Sequence, residues 1–103
     1  MDKARDFHYH EHVAMMGQIV PLYYSNDIAG FQKLQREQLE KAKSSTNPLY
    51  FELNWILLQG LICQRDSSYH MEQDDLDKVA DYLFKTEEWT MYELILFGNL
   101  YSF

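Results

Sequence analysis

Apolar residues recur along this chain at the three- and four-residue spacing of helix faces. Val13, Met16, Ile19 and Val20 share one such face, which predicts a first helix from about Asp6 to Tyr24. Pro21 is expected to kink it or end it early, because proline lacks an N–H and crowds the carbonyl one turn back. "SND" follows, with Ser25 or Asn26 as an N-cap and Asp27 favourable in the first turn of a second helix. Ile28, Phe31, Leu34 and Leu39 make the apolar stripe of that helix, and "KSSTNP" closes it.

Asn47-Pro48 predicts the third start, an N-cap followed by proline where its missing N–H is harmless. From Leu49 to Cys63 the pattern is apolar nearly all round, which marks a central helix. "RDSSYHMEQD" reads as a loop, after which Asp74 caps a fourth helix with Leu76, Val79, Ala80 and Leu83 on one face. The fifth begins at a capping box, Thr90-x-x-Glu93, with Trp89 and Leu94 placed as a hydrophobic staple.

The second and fourth helices start about 48 residues apart and the third and fifth about 43, a spacing typical of helical repeats. The expectation is all-α: tetratricopeptide-like antiparallel helical hairpins, about five helices forming an α-solenoid fragment. The standard tetratricopeptide consensus is absent, and no strand alternation or Asn-Gly hairpin signal competes.

Composition narrows the class. The 103 residues suit one helical-repeat regulatory domain, 1–103, and 47% hydrophobic with 16% aromatic residues argues against disorder. A net charge of −7 leaves no basic excess for phosphates, so the chain is a poor nucleic-acid binder by itself. Its basic run alternates signs, with Lys33–Glu37, Arg36–Glu40 and Glu37–Lys41 at the spacing of a solvated helix face. One cysteine, Cys63, excludes an internal disulfide framework and fits a reducing interior. No signal peptide and no span of ~20 apolar residues is visible. A soluble, cytoplasmic protein without membrane contact is expected.

Candidate chemistry is sparse. "HYHEH" sets His8 and His12 one turn apart beside Glu11, an arrangement that suits a transition metal but reads better as a polar face near a terminus. It is not the zinc-protease motif, because Ala14 stands where the second histidine belongs. Cys63 follows "LLQGLI" and reads as a structural cysteine. "QDDLDK" lacks the spacing and glycine of a calcium loop and reads as a capping acidic turn. Without a phosphate loop, a Gly-x-Ser-x-Gly elbow or a catalytic pair, the chain is not read as an enzyme, and no cofactor or metal is expected. More informative are Asn54, Gln59 and Asn99, carboxamides set in apolar helices that need hydrogen-bond partners. Either they bond neighbouring helices, or they line a concave groove and pair with the backbone of a bound peptide. Tyr92 and Trp55 fit core, interface or groove equally.

"DYLFKTEEWTMYELILFGN", residues 81–99, resembles the C-terminal region of the Rgg/GadR/MutR family of Gram-positive transcription regulators. "NPLYFELNWILLQGLI" is similar to the preceding helix of that family, and "IVPLYYSNDIAGFQKL" fits more loosely. The resemblance implies a tetratricopeptide-like region that dimerises and in many members binds short quorum-sensing peptides in its concave face. DNA binding would belong to a separate N-terminal helix-turn-helix domain. No such domain precedes the repeats, and the further helices expected after residue 103 are absent, so the chain reads as a fragment. The expected function is the peptide-sensing and dimerisation region of an Rgg-type regulator, with peptide contacts at Asn54, Gln59, Tyr92 and Asn99. The alternative is a stand-alone helical adaptor that pairs with a full-length regulator without a ligand. A fragment cut from a solenoid exposes apolar faces, so self-association, as a homodimer, is also expected.

Overall fold

The computed structural model describes the backbone of residues 3–89 and 91–101, and the side chains of 10, 13–89, 93–98 and 100. Among the described residues there are five helices: α1 (Lys3–Ser25), α2 (Ile28–Ser44), α3 (Leu49–Arg65), α4 (Gln73–Lys85) and α5 (Met91–Tyr101). Among the described residues there is no strand. Short loops fold successive helices back on one another, with α3 packed against α2, α4 and α5, and α1 against α2. The all-α expectation of packed helical hairpins is met.

α3 is the centre. Leu53, Ile56, Leu57, Leu58 and Ile62 are each at most 2% exposed, because the helix is surrounded on several sides. Phe31 and Leu34 of α2, Val79 and Leu83 of α4, and Leu96 and Leu100 of α5 close over it. Where an α5 helix and α3 meet, Gly60 matters: a Cβ there would stand 2.6 Å from Leu100 Cδ2.

The chain departs from the sequence reading at several element ends. Pro21 does not terminate α1, which runs on to Ser25. Pro21 is exposed, and so is Gly17 four residues earlier, so the carbonyl that loses its donor faces water instead of an apolar core. Asn26 is not an N-cap. It adopts φ 54°, the left-handed region that asparagine tolerates, and closes α1 in a Schellman turn. The Asp27 N–H donates to the Leu22 carbonyl at 3.0 Å and the Asn26 N–H to Tyr23 at 3.4 Å. Asp27 is the cap of α2, its carboxylate accepting the Gly30 N–H at 3.0 Å. Gly30 is also where α2 approaches α1, since a Cβ there would meet Leu22 Cδ2 at 2.6 Å.

Other starts differ as well. Pro48 has helical angles (φ −75°, ψ −11°), and its carbonyl accepts the Glu52 N–H; no side chain caps α3, so Asn47 does not serve that role. The α4 cap position is Glu72, with Asp74 and Asp75 in the first turn, where their charge favours the helix dipole. Thr90 lies outside the described residues. Glu93 is only 1% exposed and accepts the Tyr82 hydroxyl at 2.8 Å, a tie between α4 and α5. Leu94 is 51% exposed, while the Trp89 ring leans on Phe97, with centroids 5.6 Å apart.

The apolar stripes are rotated too. Among the described side chains of α1, Met15 and Ile19 are buried, whereas Val13 and Val20 are exposed. On α2 the buried positions are Phe31, Leu34, Gln35 and Gln38, and Leu39 is exposed. Two glutamines replace a leucine in the packed face because α3 offers carboxamides to meet them.

Candidate functional site

The polar groups of α3 sit in a carboxamide ladder between α2 and α3. Gln35 donates through Nε2 to Gln59 Oε1 at 2.9 Å and to the Trp55 carbonyl at 3.3 Å. Asn54, 2% exposed, donates through Nδ2 to Gln38 Oε1 at 3.2 Å. Gln59 passes its own Nε2 hydrogen to the His70 carbonyl at 3.2 Å, which ties down the α3–α4 loop. One turn further, Gln32 donates to the Tyr69 hydroxyl at 3.1 Å. Buried carboxamides must be satisfied, and here each chain's-own partner does so. A signal for this existed in the sequence: Gln32, Gln35 and Gln38 recur every three residues in "QKLQREQ", along one side of α2.

A separate feature is an apolar cleft of about 180 Å³ between α1, α3 and α5. Its walls are Met16, Ile19 and Val20, then Leu57 and Leu61 of α3, and Ile95 of α5, with Tyr23 and Tyr24 at the edge. Asn54 and Gln59 are not among its lining residues. Tyr92 and Asn99 stand at i−3 and i+4 from Ile95 along α5, and their side chains lie outside the described residues.

Arg65 holds the edge of this cleft in place. Its guanidinium lies 4.2 Å from the Tyr23 ring centroid and 5.2 Å from that of Phe31. Nη1 donates to the Leu61 carbonyl at 2.9 Å and Nη2 to the Tyr23 carbonyl at 3.4 Å. One cation thus bridges the C-terminal ends of α3 and α1, where partial negative charge collects. Nε is buried without a hydrogen-bond partner. Stacking on two aromatic faces offsets that cost, because their electron-rich faces attract the cation.

Burial pushes the half-buried Cys63 thiol above its ordinary value, which disfavours the nucleophilic thiolate. Among the described residues, no three His, Cys, Asp or Glu side chains group as metal ligands; His8 and His12 have side chains outside them. The Tyr82 hydroxyl is raised far above the ordinary phenol range, first by burial, then by its bond to Glu93 and that group's charge. Tyr50 packs edge-on to it at 5.8 Å.

A raised phenol has a definite linkage sign. The unfolded chain ionises this tyrosine near pH ~10 while the fold keeps it protonated. Its stabilising contribution is therefore complete below about pH 10 and lost as pH rises beyond it. Urea midpoints are expected to fall more steeply above about pH 10 for the native chain than for Tyr82→Phe. Parallel alkaline declines in the two proteins would show that Tyr82 is not shielded.

Helices packed as hairpins around a central one, with an apolar cleft between α1, α3 and α5, define an all-α helical domain. The sequence gives this class its family. Residues 32–103, well over half the chain, match the family described as HTH-type transcriptional regulator Rgg, C-terminal domain. The chain belongs to that family, as the segment at 81–99 led one to expect. No solved structure matches the chain. Among the described residues, no helix is long and apolar enough to cross a membrane.

Proposed function

We propose that this C-terminal region of a transcription regulator senses a short apolar peptide in the α1–α3–α5 cleft and pairs with a second copy. The observation that carries the reading is the cleft itself, walled by side chains from three separate helices. An occupant touching all three favours one arrangement of them over others, which is what a population shift requires. At about 180 Å³ the cleft is smaller than the ~300–1,000 Å³ of pockets that enclose a small molecule. It suits anchor side chains of a peptide lying across it. Asn54 and Gln59 then act behind the wall, holding α3 to α2, while Tyr92 and Asn99, one turn to either side of Ile95 in the α5 sequence, are proposed as peptide contacts.

Charge supports pairing on the same face. Residues 13–26 contain no charged side chain, although the whole chain carries −7. Val13, Val20 and Tyr24 of that stretch are 52%, 48% and 81% exposed. Two copies meeting there avoid the repulsion that acidic faces would bring. Peptide and second copy share Val20 and Tyr24, so binding of one changes the other. Promoter contact falls to the helix-turn-helix region that the family description names, since this chain lacks a basic excess.

The test is a nitrogen-15 NMR titration with a pool of short apolar peptides, run beside sedimentation at several concentrations. Amide shifts should cluster at Val20, Tyr23, Leu57, Leu61 and Ile95, and Val20→Glu should abolish them and weaken the dimer. Shifts clustered elsewhere would overturn the cleft as the site. A chain that pairs yet takes no peptide is the ligand-free adaptor instead.

A further inference from the structure

The α4–α5 hairpin carries a second apolar surface, distinct from the cleft. Phe84 is 91% exposed, Phe97 45% and Trp89 41%. With Ala80 and Leu83 they line a depression of about 160 Å³. Large aromatic side chains gathered in one exposed patch lose much unfavourable hydration when a partner covers them. Trp89 is held ready: its indole Nε1 donates to the Leu83 carbonyl at 3.1 Å and its ring rests on Phe97. The polar atom is thus used inside the protein, and the exposed part of the ring is apolar.

The rim of this patch is acidic. Asp81 stands one turn before Phe84 on α4, and Glu87 and Glu88 immediately precede Trp89; all three are exposed. Among the described residues of this hairpin, Lys85 is bonded to Asp81 at 3.0 Å. A second copy of this chain is a poor occupant, because two-fold pairing here sets like carboxylates against each other. An anionic membrane surface is repelled for the same reason.

We propose that this depression docks a basic amphipathic segment of another protein. An aromatic or aliphatic anchor of that segment enters between Phe84, Trp89 and Phe97. Its lysines or arginines meet the exposed Glu87 and Glu88, beside the Asp81–Lys85 pair. Apolar anchors at helical spacing with cationic neighbours match the helix-in-groove mode of recognition, and the charges set orientation and on-rate.

The experiment uses the whole chain and a fluorescently labelled synthetic amphipathic peptide of leucine and lysine, followed by anisotropy. A peptide with glutamate in place of lysine is the control. The leucine–lysine peptide should bind, and added salt should weaken it. Phe84→Ser should raise its Kd by about tenfold or more, the scale of losing a central anchor. That variant keeps every charge and removes a side chain 91% exposed, so it separates docking from general attraction without endangering the fold. Glu87→Lys with Glu88→Lys should weaken binding comparably. Equal binding of the two peptides, or full binding by Phe84→Ser, would overturn the proposal. So would a dimer dissolved by Phe84→Ser, which assigns the patch to a second copy, or stronger binding to phosphatidylglycerol vesicles than to the peptide. Val20→Glu leaves this surface untouched, so failure of the cleft and failure of the patch are read separately.

Discussion

Phe31→Ala is expected to remove about 3–5 kcal/mol of folding stability, the usual loss for truncating a buried phenylalanine. Domains of this size hold only about 5–15 kcal/mol in total, so the variant is left near the edge of folding. Phe31 is 0% exposed, sits between α2 and α3, and supplies one of the two aromatic faces beneath Arg65. Its removal opens a cavity and also strips the guanidinium, whose Nε has no hydrogen-bond partner, of one of its two aromatic faces. Phe84→Ala is the matched control, since a ring 91% exposed is expected to change stability by no more than about 0.5 kcal/mol. Urea denaturation of both proteins is the measurement. Similar midpoints for the two would mean that α2 does not pack on α3 as described.

Gly60→Leu is expected to be the second most damaging change, costing about 1–3 kcal/mol or more through overpacking. A Cβ alone would approach Leu100 Cδ2 to 2.6 Å, and Leu100 is itself only 3% exposed, so a branched side chain has nowhere to go but against α5. Displacing α5 also moves Ile95, which removes one wall of the cleft. Peptide shifts and stability should therefore be lost together. Gly98→Ala, in α5 itself, should act the other way. Nothing lies within 4 Å of its Cβ position, and alanine improves helix propensity by about 1 kcal/mol. Hydrogen exchange across α5 reads both: faster in Gly60→Leu and slower in Gly98→Ala. An unchanged α5 in Gly60→Leu would show that the two helices do not meet there.

Helix number and order were legible because each helix carries its own periodic signal and its own stop. "KSSTNP" and "RDSSYHMEQD" end elements by local chemistry, and the all-apolar run from Leu49 foretold the central helix. The family was legible too, from the run between Asp81 and Asn99. Faces were less so. Val13 and Val20 match the apolar stripe of α1 yet are exposed, while Met15 takes the buried position, because α1 meets its neighbours along a narrow strip. At "SND" the local signals were ambiguous: both Asn26 and Asp27 accept capping roles, and only the closing of α1 on Leu22 assigned Asn26 to the first helix and Asp27 to the second.

The candidate site shows the same division. That Asn54 and Gln59 require partners follows from their chemistry; the glutamines recurring every three residues in α2 are a signal that the sequence reading missed, and the structure supplied the pairing. Their bonding to α2 instead of the cleft depended on the register of α3 against α2. The cleft was out of reach of local reading, since Val20, Leu57 and Ile95 come from three helices far apart in the chain. Trp89 illustrates the limit in one residue. Its place before a capping box suggested Leu94 as its partner, and the α4–α5 packing gave it Phe97 and the Leu83 carbonyl.

By itself, then, the sequence determined the five helices, the central place of α3, the acidic charge and the family, all of which rest on local patterning or on one contiguous segment. The tertiary structure alone decided which faces are buried, where the carboxamides find their partners, and where the cleft and the aromatic patch lie. The reason is physical: periodicity fixes the apolar side of a helix only to within a broad arc, and packing against neighbours distant in sequence selects within it.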